Sequence, residues 1–181
     1  MSKLETNTID TVSGTTNLVV GSTNSSTVTF ESGAATGQNY PAFFMKTTSS
    51  SISNSSMTKI PFNTATIDTD SAVDTTNNRF TVPSGKGGKY NISYSIGAAA
   101  DAHTTLYRIF TGLYKNGSDS NLLSAVADPR NNYGWAFSAG GSGVIDLNAG
   151  DYIEVYAYIS TGNTAGVTAS RTWLSGFRIG A

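Results

Sequence analysis

The chain has 181 residues, room for one sizeable domain and a short appendage but not for two full domains. With 11 Lys and Arg against 12 Asp and Glu, the basic residues standing singly from Lys3 to Arg178, neither a nucleic-acid-binding excess nor a polybasic membrane patch is present. There is no cysteine, which removes disulfide frameworks, thiolate zinc sites and cysteine nucleophiles together, and the wealth of β-branched residues places the chain in the all-β class.

In chain order, Met1-Ser2-Lys3-Leu4-Glu5 lacks an apolar stretch, so no cleaved secretory signal is expected. No run of about eighteen apolar residues follows anywhere, so no membrane-spanning helix is expected. Asn-x-Ser/Thr triplets begin at Asn24, Asn54, Asn91 and Asn116; without a secretory route they read as coincidence in so Ser/Thr-rich a chain. Between residues 5 and 33, small apolar clusters recur at Ile9 and Val12, at Leu18 to Val20, and at Val28 and Phe30. Each is too small to bury itself. The segment reads either as a flexible tail or as short strands that need neighbours, in a trimeric stalk or a docked arm. Gly33 to Gln38 reads as a linker, so residues 1–39 are set apart as a stem or arm and residues 40–181 as the head.

The head begins with a strand from Pro41 to Thr47, followed by a Ser-rich loop from Thr48 to Thr58. Further strands are expected over Lys59–Ile67, Arg79–Pro83, Lys89–Ile96, Thr104–Lys115 and Leu122–Ala127. Tyr133–Ala139, Gly143–Leu147, Tyr152–Ser160 and Ser170–Gly180 complete the series. In Lys89–Ile96 the alternation puts Tyr90, Ile92, Tyr94 and Ile96 on one face and Asn91, Ser93 and Ser95 on the other. In the same way Ile153, Val155, Ala157 and Ile159 oppose Tyr152, Glu154, Tyr156 and Tyr158. Many short strands punctuated by Gly, Asn and Ser turns describe a sandwich or jelly roll.

Five signals then occur in order: Arg79-Phe80-Thr81-Val82-Pro83, Gly88-Lys89-Tyr90-Asn91-Ile92-Ser93-Tyr94, Leu113-Tyr114-Lys115-Asn116-Gly117, Leu147-Asn148-Ala149-Gly150-Asp151-Tyr152-Ile153-Glu154-Val155, and Trp173-Leu174-Ser175-Gly176-Phe177. Over residues 40–181 this succession resembles the C1q/TNF-like jelly-roll head. Leu174 stands where an aromatic residue usually precedes Ser-Gly, and the collagen-like stalk of animal C1q heads is missing. The resemblance implies a homotrimer, with Asn91, Ser93, Ser95, Leu174, Gly176 and Arg178 expected towards its axis. The opening Thr8-Ile9-Asp10-Thr11-Val12-Ser13-Gly14 resembles the β-repeats ahead of such heads in phage fibres. That implies a virion protein, a capsid-decorating trimer or short head fibre, touching other virion proteins through residues 1–39. A tail-fibre tip and a secreted carbohydrate-recognition module are the alternatives, the latter with Tyr133, Trp135 and Tyr156 stacking on glycans.

Catalytic chemistry is not expected. His103 is the one histidine and sits in a polar loop, so neither a triad nor a conventional zinc site is expected. Asp68, Asp70 and Asp74 form the one acidic turn that could gather oxygen ligands for calcium. Gly85-Lys86-Gly87-Gly88-Lys89 has no Walker spacing, and no carboxylate pair suits glycoside hydrolysis. No cofactor is expected.

Overall fold

The computed structural model describes residues 40–48, 50–100, 105–128, 136–162 and 164–180. They lie within the second of the chain's two units, Asn39–Ala181. The expected stem or arm, 1–39, lies outside the described residues. The strands are β1 (Ala42–Lys46), β2 (Ser50–Ile52), β3 (Met57–Lys59), β4 (Thr64–Asp68), β5 (Val73–Asp74), β6 (Arg79–Thr81) and β7 (Gly88–Ala100). After them come β8 (Leu106–Lys115), β9 (Ser118–Ala127), β10 (Ala136–Leu147), β11 (Tyr152–Thr161), β12 (Ala165–Val167) and β13 (Trp173–Gly180). A 3₁₀ turn over Ala169–Arg171 is the one helical element among the described residues.

The strands form two antiparallel sheets. In the first, β4, β1, β13 and β7 are consecutive neighbours; β10 lies along the other edge of β7, and β12 pairs with the far end of β7, past β13, and carries β2 on its outer side. In the second the order is β5-β6-β11-β8-β9, with β3 also on β11. Chain order jumps between the sheets from β2 to β3, β3 to β4, β4 to β5, β6 to β7, β7 to β8, β9 to β10, β10 to β11 and β11 to β12. That Greek-key crossing is the jelly-roll sandwich expected from the strand pattern.

Alternation fills the space between the sheets. Tyr90, Ile92, Tyr94 and Ile96 of β7 face Ile153, Val155, Ala157 and Ile159 of β11 within one core, all of them buried. Phe43 of β1 stacks on Phe80 of β6 with ring centroids 4.0 Å apart, joining the sheets at one end. Tyr94 reaches from the first sheet to the second, its hydroxyl 3.3 Å from Thr111 Oγ1 and donating to the Leu123 carbonyl at 3.2 Å. A buried hydroxyl therefore keeps its partners.

Several boundaries differ from the sequence reading: β7 runs on to Ala100, β9 starts at Ser118, and β12 lies where no strand is expected. The expected strand Lys59–Ile67 is divided: β3 ends at Lys59 and β4 starts at Thr64, because Pro61 has no ladder donor. The Ser-rich loop holds β2 and β3, which pair with β12 and β11. The expected break between Ala139 and Gly143 is absent, and β10 runs unbroken beside β7 from Ala136 to Leu147. Its glycines allow close approach: a Cβ on Gly140 would collide with the Tyr94 carbonyl, and one on Gly143 would lie 2.9 Å from Leu123.

Candidate functional site

The side of the first sheet that faces away from the core is assembled from alternate residues of five strands. Register aligns Ile67, Phe44, Ser175, Ser93 and Ser142 in one cross-strand row. Ala42, Phe177, Asn91 and Val144 form a second row, and Lys46, Trp173, Ser95 and Gly140 a third. Large apolar side chains stand in water here: Ile67 is 51% exposed, Phe177 52%, Ile179 49% and Val144 58%. The rings of Phe44 and Trp173 stack at 5.8 Å. Between the apolar positions runs a band of small polar groups, in which the hydroxyls of Ser93 and Ser142 are 2.6 Å apart. Lys89 and Asp146, 3.7 Å apart, pair on the same two strands, β7 and β10.

Asn91, Ser93 and Ser95 thus lie on the outward face. Leu174, Gly176 and Arg178 do not join them. In an antiparallel ladder directly paired residues share a face, and Leu174 pairs with Tyr94, Gly176 with Ile92 and Arg178 with Tyr90. Leu174 is fully buried, and a Cβ on Gly176 would meet Ile92 at 2.5 Å and Phe43 at 2.8 Å. Arg178 reaches along the end of the sandwich, where its Nε and Nη2 donate to the Gly87 carbonyl at 3.0 and 2.7 Å. The outward members of β13 are Trp173, Ser175, Phe177 and Ile179. Sequence reasoning divided β13 into the right two sets and turned them the wrong way, a one-residue slip in register. It also missed Phe44, Ile67 and Val144, whose strands carry no sign of which face they turn outward.

On the outward side of the second sheet, Tyr156 stacks on Tyr114 with centroids 4.1 Å apart. Burial pushes both phenols above their ordinary range. Neighbouring Glu154 is buried and bound by Lys59 Nζ at 3.0 Å, and the Arg79 guanidinium lies 4.4 Å from the Tyr152 ring. Tyr133 and Trp135, the other expected glycan contacts, lie outside the described residues, as does His103.

The acidic turn is spent on its own backbone. Asp68 accepts from the N–H groups of Ala72 and Val73 at 2.8 and 3.1 Å, and Thr69 Oγ1 donates to Asp70 at 2.7 Å. Asp74 takes the Asn77 amide at 2.6 Å and the N–H groups of Asn77 and Thr76, which hold its carboxyl below the usual range. The three carboxylates do not converge, and no group of three metal-ligating side chains occurs among the described residues.

The turn between β10 and β11 is tighter. Gly150 has φ +87°, which glycine adopts without strain, and Asp151 caps the loop by accepting from Asn148 N–H at 2.7 Å. Lys115 Nζ lies 2.8 Å from Asp151, and Asn116 Nδ2 donates to it at 2.7 Å. Burial pushes this carboxyl up, but the bonds from Lys115, Asn116 and Asn148 outweigh it and hold the pKa at about 2.

With the geometry in place, comparison with known proteins fixes the fold class. The globular domain of the zebrafish complement 1qA protein superposes with a TM-score of 0.55 at 17% identity, covering 77% of this chain and 98% of that domain. Murine APRIL gives 0.54 at 11% identity over 78% and 100%, and Eiger TNF from S. frugiperda gives 0.54 at 13% over 78% and 93%. The fold is that of the C1q/TNF-like jelly-roll heads. No family model matches the chain. A curated relative, the uncharacterized protein YqcC of Bacillus subtilis (strain 168), is 32% identical over 107 residues, 58% of this chain. The matched stretch is only 28% of that protein's length.

Proposed function

We propose that the chain is a non-enzymatic structural head that assembles as a homotrimer through the outward face of its first sheet. The observation that carries this reading is the half-exposed set Ile67, Val144, Phe177 and Ile179 beside the Phe44–Trp173 stack. Apolar side chains gathered on one flat face mark a contact surface rather than a solvated one. The resemblance to C1q/TNF-like heads supplies the three-fold arrangement, and three copies close a symmetric assembly with no open end. Static light scattering at micromolar concentration should return about three times the 18.9 kDa of one chain. A monodisperse monomer would refute it.

The setting we favour is a bacteriophage-type virion, with the head displayed on a capsid and residues 1–39 contacting other virion proteins. Its support is the phage-fibre resemblance of the segment from Thr8 to Val20 and the bacterial origin of the relative. Antibody labelling of virions in the electron microscope tests it: label on capsids agrees, label confined to tails makes the chain a tail tip, and unlabelled virions remove the setting altogether. A second reading rests on the Tyr114–Tyr156 stack, whose setting among Lys59 and Glu154 suits a neutral sugar. A glycan array probed with the purified protein tests it, and a blank array ends it.

A further inference from the structure

The β8–β9 hairpin turns on Asn116-Gly117, the single Asn-Gly pair in the sequence. Both residues have positive φ, +53° and +77°, as a two-residue hairpin loop of the primed type requires, and both are exposed. Asn-Gly is also the dipeptide whose backbone is least shielded against internal attack. The nitrogen of the glycine, once a solvent base has taken its proton, can reach the asparagine Cγ because no side chain stands in the way. Here the target amide is held. Asn116 Nδ2 donates to Asp151 Oδ1 at 2.7 Å, and Asn116 Oδ1 accepts from Tyr152 N–H at 2.9 Å. The backbone is tied as well, with Asn116 N–H donating to the Tyr152 carbonyl at 2.9 Å. The side chain is therefore a clamp between the hairpin tip and the start of β11, and it cannot swing back over Gly117 without breaking two bonds.

We propose that Asn116 is a site of spontaneous deamidation which the clamp to Asp151 holds in check, and that its product keeps the clamp open. In the step, the Gly117 nitrogen bonds to Cγ, the Cγ–Nδ2 bond breaks, and the side-chain nitrogen leaves as ammonia. Water then opens the cyclic imide to aspartate or isoaspartate. No electrons are exchanged, and water is the only other reactant. The new carboxylate has lost the donor that served Asp151 and lies beside a carboxylate that stays ionised down to about pH 2. Two like charges at hydrogen-bond distance repel, so the junction does not close again at neutral pH. The same three residues that order this end of the sandwich thus make an irreversible ageing site.

The test is deamidation of the full chain in mildly alkaline buffer, followed by mass spectrometry of the tryptic fragment 116–130 after a short digestion at mildly acidic pH. The native protein should deamidate at Asn116 roughly ten-fold or more slowly than the same chain in urea, the scale of a charge-assisted hydrogen bond. Asp151→Ala should recover much of the unfolded rate while its melting curve still shows a folded protein. Equal rates in buffer and urea would overturn the protective role, and a folded Asp151→Ala that deamidates as slowly as wild type would overturn the part given to Asp151. Asn116→Asp should melt below wild type at neutral pH, with the gap narrowing as acid protonates the introduced carboxyl. A gap that is absent or independent of pH would overturn the claim about the product.

Discussion

Arg178 shows how much one register step changes the meaning of a residue. At a three-fold axis, Arg178→Glu would bring like charges together and break the assembly. With its guanidinium on the Gly87 carbonyl, its work is inside one chain. The substitution should lower stability by about 1.5–3 kcal/mol, the worth of hydrogen bonds from a charged donor. Thermal melting would show the loss, while light scattering should give the mass of the unsubstituted protein. Asp151 is the residue that ties stability to pH. Its carboxyl titrates at about 2 in the folded chain against an ordinary 3.8, so the unfolded chain binds protons first as the solution is acidified. The stability it contributes is complete above about pH 4 and is lost between there and about pH 2. Melting curves of wild type and Asp151→Ala should differ at neutral pH and converge across that window.

At the scale of the element, β13 is where sequence legibility ends. The alternation of Trp173, Ser175, Phe177 and Ile179 against Leu174, Gly176 and Arg178 is plain in the sequence, and so is the alternation of β7 and β11. Facing is legible only when one set is polar, as Asn91, Ser93 and Ser95 are. When both sets carry bulk, the ladder partner decides, and partners are long-range facts: Leu174 finds Tyr94 across eighty positions. The turn between β10 and β11 is easier to read, since the positive φ of Gly150 and the Asn148–Asp151 bond are local; the bonds of Asp151 to Lys115 and Asn116 are not. The same logic explains why the glycines of β10 read as a break between two strands. Glycines signal a turn unless a neighbouring strand presses against them, as Tyr94 and Leu123 do here. The corrected facing makes a measurable claim. Leu174→Ala empties a fully buried site in the core and should cost about 2–5 kcal/mol, read by chemical denaturation. A change in assembly with stability intact would return Leu174 to the outward face.

For the whole molecule, the first sheet gathers its exposed apolar residues on one face, which the second does not. In the second sheet outward rings are covered by one another and by a cation, Tyr114 on Tyr156 and Arg79 on Tyr152, Lys59 pairs with Glu154, and the exposed apolar residues Val126 and Met57 stand apart on β9 and β3. The first leaves Phe177, Ile179, Ile67 and Val144 about half exposed around a band of serines. Small residues keep that surface flat, which lets another sheet approach closely, and large apolar residues make the approach favourable. Phe177 pairs with Ala42 and Asn91, residues that give it little cover. Phe177→Lys therefore removes apolar surface where the proposed copies meet and places three like charges near their axis. The folded jelly roll should survive, because the side chain points away from the core, and circular dichroism should keep the spectrum of a β protein. The mass from light scattering should fall from about three chains towards the 18.9 kDa of one. A variant that keeps the trimeric mass would move the assembly face elsewhere on the head.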